Sequence, residues 1–430
     1  MPGDLDGDGY DDLVFVDGYC VRIAYGSKTW PHKLSTSPMA NLVSSAGVAP
    51  DCMGMTSTTG EFPYSFGVAS VGDVDRDGYA DFLITFQPGI GSSPKDQSGS
   101  LLVYGGPRRL VGRTLMSEVG GARFLGGARA SGLGDVNGDG FADFGGWVGE
   151  DLVVFFGAAR RFAGEVTLDQ AGARLSFETG HEFSWVRPVG DFDGDGNADF
   201  ALARVDAADI LTLGCEGLRG RLWLILGGPQ LSGTIALDHM PFIDGPIVPI
   251  PESDQILGDL DGDGLADLAF STCQGQTAIQ NVLYGRTDAS TLSAPADVTV
   301  TGPATFATAD VDGDGHLDWI LGDPSANSGN GEVYVLRGTG TRLSGAIDPT
   351  QGSLQIPSAY KVPARPGEQG ESVGVWLSAG KDVDGDGLGD VLVGAYATHN
   401  ADGSPSADAD SNFGHMILLR GAALKATMAR

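Results

Sequence analysis

One nine-residue pattern, D-x-(D/N)-x-D-G-x-x-D, recurs seven times along the chain. The copies begin at Asp4, Asp73, Asp135, Asp191, Asp259, Asp310 and Asp382, at successive intervals of 69, 62, 56, 68, 51 and 72 residues. Two carboxylates about 4 Å apart repel by ~4 kcal/mol at an effective dielectric near 20. A packed loop of this composition therefore needs a cation among its carboxylates, and a merely solvated acidic run has no reason to keep this register. A repeat of this period also overrides the prior of about three domains set by a length of 430 residues.

The pattern fits a hard divalent cation. Calcium takes six to eight oxygens from carboxylates, carbonyls and water. Positions 1, 3, 5 and 9 supply side-chain oxygens: Asp4, Asp6, Asp8 and Asp12; Asp73, Asp75, Asp77 and Asp81; Asp135, Asn137, Asp139 and Asp143; Asp191, Asp193, Asp195 and Asp199; Asp259, Asp261, Asp263 and Asp267; Asp310, Asp312, Asp314 and Asp318; Asp382, Asp384, Asp386 and Asp390. Position 7 is expected to ligate through its backbone carbonyl, which leaves its side chain free to vary: Tyr10, Tyr79, Phe141, Asn197, Leu265, His316 and Leu388. The His316 imidazole is accordingly read as no ligand. The glycine at position 6 permits a sharp bend. Up to seven calcium ions are expected.

An EF-hand needs a bidentate glutamate at position 12, where this chain has Phe15, Ile84, Gly146, Leu202, Phe270, Leu321 and Val393. Short apolar runs of strand type follow the loops, such as "DLVFV", "DFLITF" and "DWILG". The loops are therefore expected to join two strands. The net charge of −30 is mostly metal site: the seven loops hold 27 aspartates in ligand positions, and without them the chain would stand near −3. No basic patch points to nucleic acid, and no run approaches the ~20 apolar residues of a membrane-spanning helix.

Each repeat reads as one small sheet. In "ATFATADVDGDGHLDWILGDPSANSGNGEVYVLRGTGTRLSGAIDP" a strand ends at Ala309, the loop follows, then strands "DWILG" and "EVYVLRG", and a fourth strand begins near Leu343. With 68 Gly and 22 Pro the chain is turn-rich, and 41% hydrophobic residues suffice for a core. Four strands per unit, repeated seven times, predict an all-β, seven-bladed β-propeller with four-stranded antiparallel blades. The blades are placed at 1–61, 62–124, 125–180, 181–245, 246–302, 303–368 and 369–430. Blade 1 lacks its inner strand, since Met1–Gly3 cannot make one. The tail "AALKATMAR" is expected to form an outer strand of blade 7 or to lend a strand to blade 1, and ring closure either to be irregular or to depend on missing residues.

"FGVASVGDVDRDGYADFLI" and "EVYVLRGTG" resemble FG-GAP repeats, which build the seven-bladed propellers of integrin α subunits and of many secreted bacterial proteins. The resemblance extends over essentially the whole chain. It departs in two respects: the literal Phe-Gly precedes only one loop, at Phe66-Gly67, and all seven blades carry a loop, which favours a prokaryotic-type relative. The resemblance implies an extracellular or cell-surface setting and a protein or carbohydrate partner on the face opposite the calcium loops. No signal peptide is visible, so the N-terminus is expected to be cut short.

The long second-to-third connections, at 87–100, 204–220 and 395–414, fall on that opposite face, where binding loops on rigid scaffolds usually lie. Cys20, Cys52, Cys215 and Cys273 fall there too, and suit disulfides Cys20–Cys52 and Cys215–Cys273 in a secreted setting; free thiols are the alternative. "GESVG" at 370–374 matches G-x-S-x-G but opens a strand rather than a helix, which argues against a nucleophilic Ser372. Glu368 and Glu371 have no geometry to pair them, and the six histidines are scattered. A calcium-dependent binding or adhesion module is thus the leading reading. A polysaccharide-acting lyase or hydrolase and a structural spacer remain the alternatives.

Overall fold

The computed structural model describes residues 1–17, 20–29, 40–43, 64–88, 99–125, 128–149, 151–176, 183–205, 220–237, 240–247, 257–274, 277–288, 296–349, 354–356, 368–369, 372–395, 399–400 and 415–428. Seven sheets of three to five strands follow one another in chain order as the blades of a propeller. Blade 4 has the simplest form: Phe183–Gly190, Asp199–Val205, Gly220–Ile225 and Phe242–Gly245 pair in order, all antiparallel. In blade 6 the order Thr305–Ala309, Asp318–Asp323, Glu332–Leu336, Leu354–Ile356 repeats it.

In blades 2, 3, 4, 6 and 7 an aspartate loop joins the first two strands, and in blades 1 and 5 the loop leads into the first described strand. The apolar flanks of the loops become strands because both faces of a blade are covered by neighbours, so apolar runs rather than strict alternation are favoured. The core accordingly lies between blades. Leu133, Trp147 and Leu152 of blade 3 pack with Phe200, Leu202 and Trp223 of blade 4. Ala307, Ile320 and Val333 of blade 6 pack with Leu377, Val391 and Val393 of blade 7.

Several expectations are corrected. The segment near Leu343 is not the fourth strand of its own blade. Gly345–Ile347 pairs parallel with Val298–Gly302, the outer strand of the preceding blade. The same strap recurs three times: Gly112–Leu115 on Ala40–Val43, Gly164–Val166 on Gly120–Leu125, and Gly233–Ala236 on Ala173–Ser176. A strap satisfies polar groups that an outer edge would otherwise leave unpaired. Blades 2 and 3 thus have five strands and blade 7 three. The tail is neither of the strands expected: Gly421–Met428 is helical, with Leu424 buried against blade 7.

The ring closes regularly on the loop face. Asp11 N–H donates to Asp382 O (3.0 Å) and Ser27 N–H to Val383 O (2.9 Å). Equivalent bonds join other blades, among them Ala198 N–H to Asp135 O and Gly228 N–H to Val136 O. Blade 1 begins with Leu13–Asp17, and only the isolated bridge Gly3–Asp12 stands where an inner strand would.

Candidate metal centres

Within each loop the carboxylates are held by backbone N–H groups. In the loop Asp259–Asp267, Asp259 Oδ1 accepts from Gly262 (2.6 Å) and Asp263 (3.2 Å), and its Oδ2 from Gly264 (2.7 Å). Asp261 Oδ1 accepts from Asp263 (3.1 Å), and Asp263 Oδ1 from Leu265 (2.9 Å). The position-1 bond to the position-6 glycine recurs in all seven loops. It requires two left-handed residues, at positions 4 and 6. Position 4 is glycine in six loops and Arg76, at φ 60°, in the second.

The position-9 aspartates Asp12, Asp81, Asp143, Asp199, Asp267, Asp318 and Asp390 are fully buried. Each binds two backbone N–H groups: that of loop position 2, and that of a glycine after the third strand. Asp143 takes Val136 (2.9 Å) and Gly157 (2.8 Å); Asp390 takes Val383 (2.9 Å) and Gly421 (2.8 Å). Burial pushes Asp12, Asp81, Asp143, Asp199 and Asp267 up to about 7, and Asp318 and Asp390 to about 6, against the opposing pull of these N–H bonds.

Among the described residues six carboxylate triads have oxygens within 4.8 Å of one another, among them Asp4/Asp6/Asp8, Asp73/Asp75/Asp81, Asp191/Asp193/Asp199, Asp259/Asp261/Asp263 and Asp310/Asp312/Asp318. This donor set fits a hard cation. It is all oxygen, and the buried Asp384 Oδ1 has no hydrogen-bond partner. In loop 3, Asn137 donates to Asp139 Oδ2 (3.0 Å).

Five position-7 side chains pack over the preceding loop, and Asn197 also donates from Nδ2 to Asp195 Oδ1 of its own loop (2.8 Å). Tyr79 lies over Gly7, Asn197 over Gly138, Leu265 over Gly194, Leu388 over Gly313 and Tyr10 over Gly385. The Phe141 ring faces Arg76, and the His316 ring lies against Gly340.

The model of the FG-GAP-like repeat matches residues 259–321, from the aspartate loop of blade 5 to the second strand of blade 6. The chain carries an FG-GAP-like repeat. No curated protein matches it.

Two features of this propeller escaped the sequence reading. One is the glycine after each third strand: Gly26, Gly105, Gly157, Gly227, Gly285, Gly338 and Gly421. A Cβ there would meet loop position 7 or 8 at 2.2–2.5 Å. Its signal was available, since a glycine stands two residues after the strand core in every repeat. The other is a set of arginines on positions 3 and 5: Arg109 on Asp6 and Asp8, Arg161 on Asp75 and Asp77, Arg342 on Asp261 and Asp263, Arg337 on Asp312 and Asp314, and Arg420 on Asp384.

In blades 1, 3 and 5 the paired strands end at Asp17–Cys20, Val148–Asp151 and Gln274–Thr277, with two residues between them. Most of the long loops 87–100, 204–220 and 395–414 lies outside the described residues, as do Cys52, Cys215 and Glu371. Cys20 starts the strand Cys20–Ala24, and Cys273 lies within the strand Leu268–Gln274, one residue from its end. Ser372, at φ 50°, sits in a turn where its N–H donates to Gly329 O (3.0 Å), and no helix follows it. Among the described residues no helix is long and apolar enough to cross a membrane.

Proposed function

We infer that the protein is an extracellular calcium-binding β-propeller that acts as a binding or adhesion module for a protein or glycan partner. The observation that carries this reading is the repetition of one carboxylate cradle on one face of all seven blades. The position-1 bond to the position-6 glycine is common to all seven, and in six the carboxylate oxygens cluster within 4.8 Å of one another. A face so uniform cannot encode specificity, whereas the opposite face carries the irregular connections. Calcium at positions 1, 3, 5, 7 and 9 would hold each loop and so the rigidity of the ring. The pairings Cys20–Cys52 and Cys215–Cys273 are part of the proposal; the lack of a free thiol among the described cysteines supports them.

Calorimetry on the full chain is expected to count up to seven calcium ions, and EGTA to lower the melting temperature, reversed by calcium more than by magnesium. A cation bound only by the folded state adds ~2.7 kcal/mol per site at a hundredfold excess over Kd. Two ions or fewer, or an unchanged melting curve after full chelation, would overturn the reading. Shortening 395–414 to a two-residue turn is expected to weaken partner binding in a glycan and protein screen while leaving calcium affinity unchanged.

A further inference from the structure

We propose that arginines paired with loop carboxylates, three of them crossing from the next blade and two turning back within their own, divide the seven loops into two affinity classes, with loops 3 and 4 taking up calcium first. The inference rests on the reading of the loops as calcium sites.

Three arginines make the same contact, atom for atom. Arg109, Arg161 and Arg342 each stand four residues after the third-strand glycine of blades 2, 3 and 6, and each reaches back to the loop of the preceding blade. Nε bonds Oδ2 of position 3 and Nη2 bonds Oδ2 of position 5: Asp6 and Asp8, Asp75 and Asp77, Asp261 and Asp263.

A tyrosine holds each arginine in place. The guanidinium lies over Tyr25, Tyr104 or Tyr284, at 5.0, 4.6 and 5.1 Å from the ring centre. The tyrosine hydroxyl then accepts the N–H of the residue after the arginine, Leu110 (2.8 Å), Phe162 (2.8 Å) or Leu343 (2.9 Å). In blades 6 and 7 the tyrosine position is itself an arginine, Arg337 or Arg420, which turns onto its own loop.

Loops 3 and 4 have neither part. The residue before the glycine is Phe156 or Leu226, without a hydroxyl. The following blade offers no arginine: 226–241 contains no lysine or arginine, and in 284–297 the one cation, Arg286, pairs with Asp297. Arg76 stacks on Phe141 beside loop 3 but forms no ion pair with its carboxylates among the described residues.

The oxygens that the guanidinium engages belong to the same carboxylates that would hold the metal. An oxygen shared with a fixed cation is a poorer donor to a second one, and like charges repel across the loop. The arginine side chains are about half exposed (43–55%), so the pairs are screened and displaceable. They set affinity rather than forbid binding. Loop 4, with four aspartates and no guanidinium, is the tightest site.

The test uses the full chain, with calcium alone as the probe. The wild type is expected to show two tight sites and a weaker set. D139N/D195N is expected to remove the tight phase. R109Q/R161Q/R342Q is expected to raise affinity about tenfold at three sites, enlarging the tight phase from two to five, and to melt lower than wild type in EGTA. Arginine-to-lysine variants, which keep the charge, are expected to stay near wild type and control for folding. If the wild type binds but the glutamine variant gives the same isotherm, or D139N/D195N leaves the tight phase intact, the ranking is overturned and the calcium reading stands. If the wild type takes up no calcium, both fall.

Discussion

At the scale of single residues, geometry separates glycines that look alike in the sequence. Gly105 and Gly106 are adjacent. A Cβ on Gly105 would meet Ala80 O at 2.3 Å and Leu5 O at 2.9 Å, both backbone atoms, while one on Gly106 would meet nothing within 4 Å. Gly105 also gives its N–H to Asp81 (2.8 Å). Gly105→Ala is expected to cost ~2 kcal/mol in denaturant unfolding, the usual scale of forced overpacking, and Gly106→Ala to fall within ~0.5 kcal/mol of wild type. Equal effects would mean that the third-strand glycine is not selected by its approach to the loop. The buried aspartate beside it has a double duty: it ties the loop to the far end of the third strand and faces the metal cradle.

At the scale of the element, each loop is a titrating device. Unfolded, the position-9 carboxyl has an ordinary value near 3.8; folded without calcium it stands at about 7 in five loops and about 6 in two. The folded state therefore holds extra protons between those values. The stability this contributes is complete below about pH 4 and is lost as pH rises through 6–7. Calcium demands the deprotonated form, so it reverses the trend. In EGTA the melting temperature is expected to fall from pH 5 to pH 7.5. In calcium the affinity is expected to rise over the same range with release of protons, read by calorimetry in buffers of different ionisation enthalpy. Proton-independent binding would mean that position 9 does not ligate.

What could be read in advance also sorts by element. The loops and the strands after them were legible because their spacing is local and fixed. The straps were not. Gly345–Ile347 and Gly164–Val166 are three residues long and pair parallel with another blade, so they have neither period nor a turn to announce them. The helix Gly421–Met428 was read as strand because the same sequence position holds an outer strand in other repeats. The arginines were hidden by distance: Arg109 and Asp6 are 103 residues apart.

At the scale of the whole molecule, the blades are alike but the seams between them are not. Among the described residues, straps cross the seams 1/2, 2/3, 3/4 and 5/6 and none of the others. The seam between blades 7 and 1 is held by Asp11 to Asp382, Ser27 to Val383, Asp382 N–H to Asp11 Oδ2 (2.9 Å) and the terminal amine to Ser378 Oγ (3.3 Å). Mechanically, the ring is a set of stiff arcs joined by softer hinges, and the hinge between first and last blade joins parts of the chain that no peptide link connects. Thermal breathing should concentrate there. The Ser27 amide, bonded to Val383 O at 2.9 Å, has its counterpart in Ala158, bonded to Val74 O at the same 2.9 Å across a strapped seam. Native-state hydrogen exchange is expected to be faster at Ser27 than at Ala158. Equal protection would make the straps ornamental to stiffness; faster exchange would mark this hinge as the gate through which the ring first opens.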